Sequence, residues 1–361
     1  MEAASRLIKV PIRAVQDWAS EALRRAGLSE HDAEVTAASL AFADARGVHT
    51  HGFMRLSTYV KRARAGGING VGQPRIASDL GALVIVDADH VAGASSGIYG
   101  SALAIERGHR HGIGCVAVRN ANHFGVASFY ANRIADAGLL GIVACNTDKV
   151  MCPPMGGRAV LGTNPLAVTV PMPPESRPQL DMATTQVSQG RLIIAARDGE
   201  TIPIGWAVDA EGQPTTSAAA GLQGALLPAG GPKGFGLSFA IDALVALSGA
   251  LTSHEVGALY GDPSEPQRLG QLFIAIRADA GIPLHEYRQR ISSLVDAIHA
   301  SGPTSGEHPP VVPGEPELMR EHQNNGSLSL TGLLIESFAE VAAATGLALP
   351  EDIRRASLQS A

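Results

Sequence analysis

The 361 residues carry a formal net charge of −6, so no basic field is present to draw nucleic acid or an anionic membrane surface. Three cysteines (Cys115, Cys145, Cys152) are too few and too odd a set for a disulfide framework. No leader-like segment opens the chain and no uncharged run nears the roughly 20 residues that span a bilayer, so a cytoplasmic, soluble protein is expected.

Residues 12–26 place Ile12, Val15, Trp18 and Leu23 at helical intervals. Ser29 with Asp32 resembles a capping box and opens an alanine-rich helix to about Ala45, which Gly47 would stop. A further helix is expected to begin at about His51. Ala82–Asp87 predicts a buried strand, Gly93–Gly100 a small-residue turn and Ser101–His111 a helix. Strands are expected at Ile113–Val118, Leu139–Cys145, Leu166–Val170 and Leu272–Ile276. Helices are expected at Gly125–Ala137, Phe235–Leu251, Leu284–Ala300 and about Leu330–Thr345, with a short tail behind the last. Residues 301–316 hold five prolines and three glycines and read as a loop or arm. The alternation of apolar runs and helical patterns argues for α/β architecture.

The common signatures are missing. There is no G-x-G-x-x-G after a strand, no Walker loop, no H-E-x-x-H, no G-x-S-x-G and no paired C-x-x-C. His49-Thr50-His51 offers two imidazoles, but alternate side chains diverge and the only acid close by is Asp44, so no metal site is expected. On a helix beginning at His51, that residue and Arg55 share a face. Histidine titrates near neutrality and can pass a proton, and arginine can grip a carboxylate with two parallel hydrogen bonds. Such a pair suits a carboxylate beside a reducible carbonyl or imine; a surface histidine and a solvated arginine answer the same spacing.

Asn120–Gly125 lies between a strand end and a helix start, where backbone N–H groups favour phosphates but also make ordinary capping turns. Thr163 and Asn164 can bond a substrate or fix the turn before Pro165. The glycines around Lys233 permit close approach to a phosphate, although a solvated loop lysine is the alternative.

Taken together these segments resemble the malate/L-lactate dehydrogenase family of the non-Rossmann type. That family includes ureidoglycolate, sulfolactate and diketogulonate oxidoreductases and the piperideine/pyrroline-2-carboxylate reductases. The motifs carrying the resemblance are Asp44-x-Arg-Gly-x-x-Thr-His-Gly-x-x-Arg55, Asn122-His-Phe-Gly125 with Tyr130, Gly162-Thr-Asn-Pro165, Asp181-Met-Ala-Thr184, Ile202-Pro-x-Gly-Trp-Ala207, Lys233-Gly-Phe-Gly236 and Pro313-Gly-Glu315. Their order follows the family's over nearly the whole chain.

The resemblance implies a mixed β-sheet flanked by helices with a helical N-terminal region, and an NAD- or NADP-dependent oxidoreductase that forms a homodimer. It implies three regions: residues 1–115, helical and bearing the His/Arg pair; 116–300, binding cofactor; and 301–361, an arm and helix packing back on the first. His51 would pass the proton with Thr50 beside it, and Arg55 and Thr163 would bind a small carboxylate substrate. His123, Phe124, Gly125, Val126, Ala127, Asp181, Met182, Ala183, Lys233, Gly234, Gly314 and Glu315 would line the cofactor site.

Three positions depart from the family pattern. Thr50 stands where serine is common, Val311 stands where relatives often keep arginine, and Arg191 occupies a position that is acidic in the imine reductases. A cation at 191 counts against a cyclic imine substrate and favours a 2-oxo or 2-hydroxy carboxylate. A non-catalytic nucleotide-binding homologue is the remaining alternative, which intact His51, Arg55, Thr163 and Lys233 oppose.

Overall fold

A computed structural model describes residues 8–302 and 309–359. The chain begins with strand β1 (Ile8–Pro11) and helices α1 (Ile12–Arg25), α2 (Glu30–Ala45) and α3 (Leu56–Ala65). The Ser29 side chain caps α2 by accepting from the Asp32 N–H at 3.1 Å, as the sequence suggests. Next come β2 (Arg75–Asp79), β3 (Leu83–Asp87), α4 (Gly93–His111), β4 (Ile113–Ala121), α5 (Ser128–Asp136), β5 (Leu139–Cys145), β6 (Leu166–Thr169) and β7 (Gln179–Met182). The middle of the chain forms α6 (Gln189–Arg197), β8 (Ala207–Val208), α7 (Ala218–Gln223), β9 (Ala225–Leu226) and α8 (Pro232–Ala246). The chain closes with β10 (Leu269–Arg277), α9 (Leu284–Ala300), α10 (Glu315–Asn324), β11 (Ser327–Leu330), α11 (Gly332–Thr345) and α12 (Glu351–Gln359).

The main sheet is mixed and seven-stranded, in the order β2-β3-β4-β10-β5-β6-β7. Only β3 and β4 pair in parallel, linked by α4; every other neighbour pair is antiparallel. One face packs on α4 and α5 through Val84, Val116, Val118, Tyr130, Ile134 and Phe273, and the other packs on α8 through Ile241 and Val245. A second core joins α1–α3 to the C-terminal elements, where Phe338 of α11 meets the rings of Trp18 at 5.4 Å and Phe53 at 6.2 Å.

Several expectations are corrected. Gly93–Gly100 is the first half of α4 rather than a turn, because its small residues serve packing. A Cβ on Gly97 would strike the Tyr130 ring, and one on Gly100 the Phe273 ring. The tail carries α12, whose Ile353 is fully buried in the N-terminal core. Of the stretch read as an arm, residues 303–308 lie outside the described residues, and its far end starts α10 at Glu315. The helix expected to begin at His51 starts at Leu56.

Candidate active site

Pairing in the sheet brings the C-terminal ends of β4, β5 and β7 and the N-terminal end of β6 to one edge. Chain leaving a sheet at such an edge makes crevices suited to ligands. The cleft found there has a volume of about 510 Å³, within the range of small-molecule sites. Against it stands the segment between α2 and α3.

That segment is held by Asp44. The Asp44 carboxylate, 2% exposed, takes His49 Nδ1 on one oxygen at 2.6 Å and the Phe53 N–H on the other at 2.6 Å. Gly52 lies between these two contacts, where a Cβ would overlap the carboxyl group. The chain therefore makes two tight 3₁₀ turns, His49–His51 and Phe53–Arg55, instead of a continuous α-helix. His51 and Arg55 still meet in the cleft, placed by this turn and not by a shared helix face. His49 is turned away towards Asp44, whose hydrogen bond raises the proton affinity of that imidazole. Among the described residues no group of three or more histidines, cysteines and acids could hold a metal ion.

Thr50 Oγ1 lies 3.0 Å from His51 Nδ1. Burial, aided by the Arg55 charge, lowers the pKa of His51 to about 3, so this imidazole is neutral at ordinary pH. Its ring stacks on His123 with centroids 5.7 Å apart and planes at 23°. His123 Nδ1 accepts from the Tyr59 hydroxyl at 2.6 Å and the Gly125 N–H at 3.4 Å, which leaves its ring proton on Nε2. Burial, with the charges of Arg55 and His51, keeps His123 well below the usual histidine range.

Arg55 is 6% exposed, its Nε is buried without a hydrogen-bond partner, and no acid stands at ion-pair distance among the described residues. Its guanidinium lies over the Tyr260 ring, 5.1 Å from the centroid. Beyond it, Thr163 Oγ1 and Thr147 Oγ1 are 3.2 Å apart on the cleft wall. The fully buried Asn164 fixes that wall, accepting from the Thr147 N–H at 2.9 Å and donating to the Ser238 carbonyl at 3.0 Å. At the far end, the exposed Asp181 accepts from the Ser128 N–H at 2.9 Å. Gln179 there accepts from Arg46, which also pairs with Glu321.

A family model described as malate/L-lactate dehydrogenase matches residues 10–330. The chain belongs to the malate/L-lactate dehydrogenase family. The L-sulfolactate dehydrogenase of Methanocaldococcus jannaschii is 34% identical over 333 residues, covering 92% of this chain and 96% of that one. The solved structure of that archaeal enzyme superposes with a TM-score of 0.87 at 33% identity, over 94% of this chain and 98% of the other. The NAD(+) ureidoglycolate dehydrogenase of Escherichia coli K12 is 34% identical over 302 residues, 83% of this chain and 86% of its own. The (2R)-3-sulfolactate dehydrogenase (NADP(+)) of Chromohalobacter salexigens is 33% identical over 293 residues, 80% and 86% of the two chains.

Most residues singled out by the likeness to this malate/L-lactate dehydrogenase family meet in the one cleft. Thr50, His51, Arg55, His123–Ala127, Thr163, Asp181–Ala183 and Gly314 all line it. Three others do not. Lys233 is exposed in the first turn of α8, and Gly234 is buried behind it, where a Cβ would meet the Thr184 carbonyl. The Glu315 carboxylate takes the Val312 N–H at 2.9 Å and His299 at 2.8 Å, fixing the Pro313–Glu315 turn. Arg191 is exposed at the start of α6; the residue packed against Thr50 is Gly190.

The reading of the sequence missed Tyr59, Asp148 and Tyr260. Tyr59 lies four residues after Arg55, the same spacing that relates Arg55 to His51. Asp148 follows the end of β5 at the sheet edge where ligand sites concentrate. Tyr260 had no local signal.

Proposed function

We propose that this NAD(P)-dependent oxidoreductase moves hydride between the nicotinamide and a small 2-oxo or 2-hydroxy carboxylate, with Arg55 gripping the carboxylate, Thr163 assisting and His51 passing the proton. One observation carries the reading: Arg55 is a buried cation with no acid at ion-pair distance among the described residues, beside a half-buried, neutral His51. An isolated buried charge is costly, and a bound carboxylate would relieve it through charge-assisted hydrogen bonds. The same neutralisation would remove the repulsion that Arg55 exerts on a protonated His51. Substrate binding thus raises the proton affinity of His51 when it must act as donor, whereas the neutral ring serves as acceptor in oxidation. Thr50 holds Nδ1 and so aims Nε2 at the substrate oxygen.

His123–Ala127, Asp181–Ala183 and Gly314 are the residues that would hold the dinucleotide, and the size of the cleft fits one. When bound, the nicotinamide supplies or accepts the hydride. The chain's contribution is orientation, proton transfer at His51 and fixation of the carboxylate. We propose further that the three regions bounded near residues 115 and 300 divide these tasks, that the protein is a homodimer and that it works in the cytoplasm.

The test is oxidation of NADH and of NADPH with a panel of 2-oxo acids, with light scattering for the oligomer. Turnover is expected, with His51→Ala slower by roughly 10²–10⁴-fold, the usual worth of a general acid–base group. Full turnover by His51→Ala overturns the assigned role. A cyclic imine carboxylate belongs in the same panel, and its preferred reduction would move the assignment to the imine reductases. Nucleotide binding with no turnover of any panel member would restore the non-catalytic alternative.

A further inference from the structure

The carboxyl group of Asp148 lines the cleft just past the end of β5 and has no place in the hydride and proton chemistry. Burial raises the proton affinity of this carboxyl, and the charges of Arg55 and Arg62 oppose that rise, although neither arginine stands at ion-pair distance from it. Leu259 belongs to the loop between α8 and β10. That loop is pinned by Arg62, which is 2% exposed and donates to the carbonyls of Ala258, Leu259, Asp262 and Glu265. The guanidinium of Arg62 is thereby occupied, and it does not line the cleft. The other lining cation, Arg46, stands at the far end, paired with Glu321. On the His51 side, one cation and one acid face the substrate.

We infer that Asp148 selects the substituent of the substrate. The preferred 2-oxo or 2-hydroxy acid carries one carboxylate, gripped by Arg55, and a hydrogen-bond donor such as an amide, ureido, hydroxyl or ammonium group received by Asp148. A second anion on the substrate would meet this carboxylate with no cation free to offset it, and like charges in a desolvated site repel strongly. A cleft that desolvates this half-buried acceptor also disfavours analogues that lack the donor, because the acceptor is then left unpaired. The inference rests on the reading of Arg55 as the carboxylate clamp.

The experiment compares kcat/KM for pyruvate, hydroxypyruvate, 2-oxosuccinamate, oxaloacetate and sulfopyruvate in the wild type, Asp148→Asn and Asp148→Ser. The wild type should favour the amide and hydroxyl acids over the two dianions by at least tenfold. In Asp148→Asn the ratio of oxaloacetate to pyruvate should rise at least tenfold. Ratios within one variant cancel losses from poor folding, and Asp148→Ser provides a second, smaller replacement. Oxaloacetate or sulfopyruvate as the best substrate, with ratios unmoved by either substitution, overturns the inference and leaves the Arg55 clamp standing. Failure of the wild type to reduce any 2-oxo acid would overturn the clamp reading and this inference together.

Discussion

The guanidinium of Arg55 rests 5.1 Å from the centre of the Tyr260 ring, and that aromatic face takes the place of a carboxylate partner. A ring face offers a cation about 0.5–2 kcal/mol and carries no net negative charge. Arg55 is therefore held in position without being neutralised. Arg55→Gln should lower kcat/KM for a 2-oxo acid by about 2–5 kcal/mol, roughly 30- to 5,000-fold, as expected when one member of a buried charge pair with substrate is lost. The same substitution should leave the thermal midpoint unchanged or higher, since it removes a buried charge that the free protein does not pair. A large fall in both activity and midpoint would mean that Arg55 is a structural residue.

The His51 pKa of about 3 has burial as its first cause and the Arg55 charge as its second. Removing the cation should move the pKa of His51 part of the way back towards 6.5, visible in the pH titration of its imidazole C–H resonances in Arg55→Gln. The stability consequence has a definite sign. Above pH 6.5 the ring is neutral in both folded and unfolded chains. Between 6.5 and about 3 only the unfolded chain takes up the proton, so stability falls as pH falls. His51 alone contributes a slope of up to about 1.4 kcal/mol per pH unit in that window. Urea melts of His51→Gln should show a shallower acid loss than the wild type over the same range, and an equal slope would contradict the assigned shift.

Much of this fold was legible in the chain. The strands at 82–87, 113–118 and 139–145 and the helix after Ser29 follow from apolar runs and one cap. Strand β2 was not legible: Arg75–Asp79 is exposed along its whole length and has no buried alternation to read. The glycines of 93–100 misled because local rules treat glycine as a breaker, whereas here it admits the Tyr130 and Phe273 rings from elsewhere in the chain. At the site, His51 and Arg55 were visible as a pair, but their geometry was not. It depends on Asp44 reaching back over Gly52, and on Arg62 drawing the distant loop that carries Tyr260.

The Asp44 staple makes its own prediction. Asp44→Ala would leave the buried Phe53 N–H without an acceptor and release the exposed His49, costing about 1–3 kcal/mol for the one stranded group. Gly52→Ala should destabilise comparably by pushing the same carboxylate away. Both should depress kcat/KM, although neither residue lines the cleft, because the turn presents His51 and Arg55 together. Urea denaturation gives the first quantity and initial rates the second. Wild-type activity in Asp44→Ala would show that the turn holds its shape without the staple.

Thr50 meets His51 on one side and α6 on the other. A Cβ on Gly190 would sit 3.0 Å from Thr50 Cβ, 3.2 Å from its Cγ2 and 3.1 Å from Arg55 Nη2. The threonine methyl thus fills space against the start of α6 while the hydroxyl serves the imidazole. Thr50→Ser keeps the hydroxyl and should hold kcat within about threefold. Thr50→Ala should lose about 1 kcal/mol, roughly fivefold, as for one hydrogen bond. Gly190→Ala should slow the enzyme by crowding Thr50 and Arg55 together, and part of that loss should be recovered when Thr50→Ser removes the methyl in its path. The two substitutions should therefore couple, with a double-mutant cycle on kcat/KM giving an interaction of roughly 0.5–1 kcal/mol. Additive effects would mean that α6 does not bear on the Thr50–His51 pair. They would also leave no packing reason for threonine at this position.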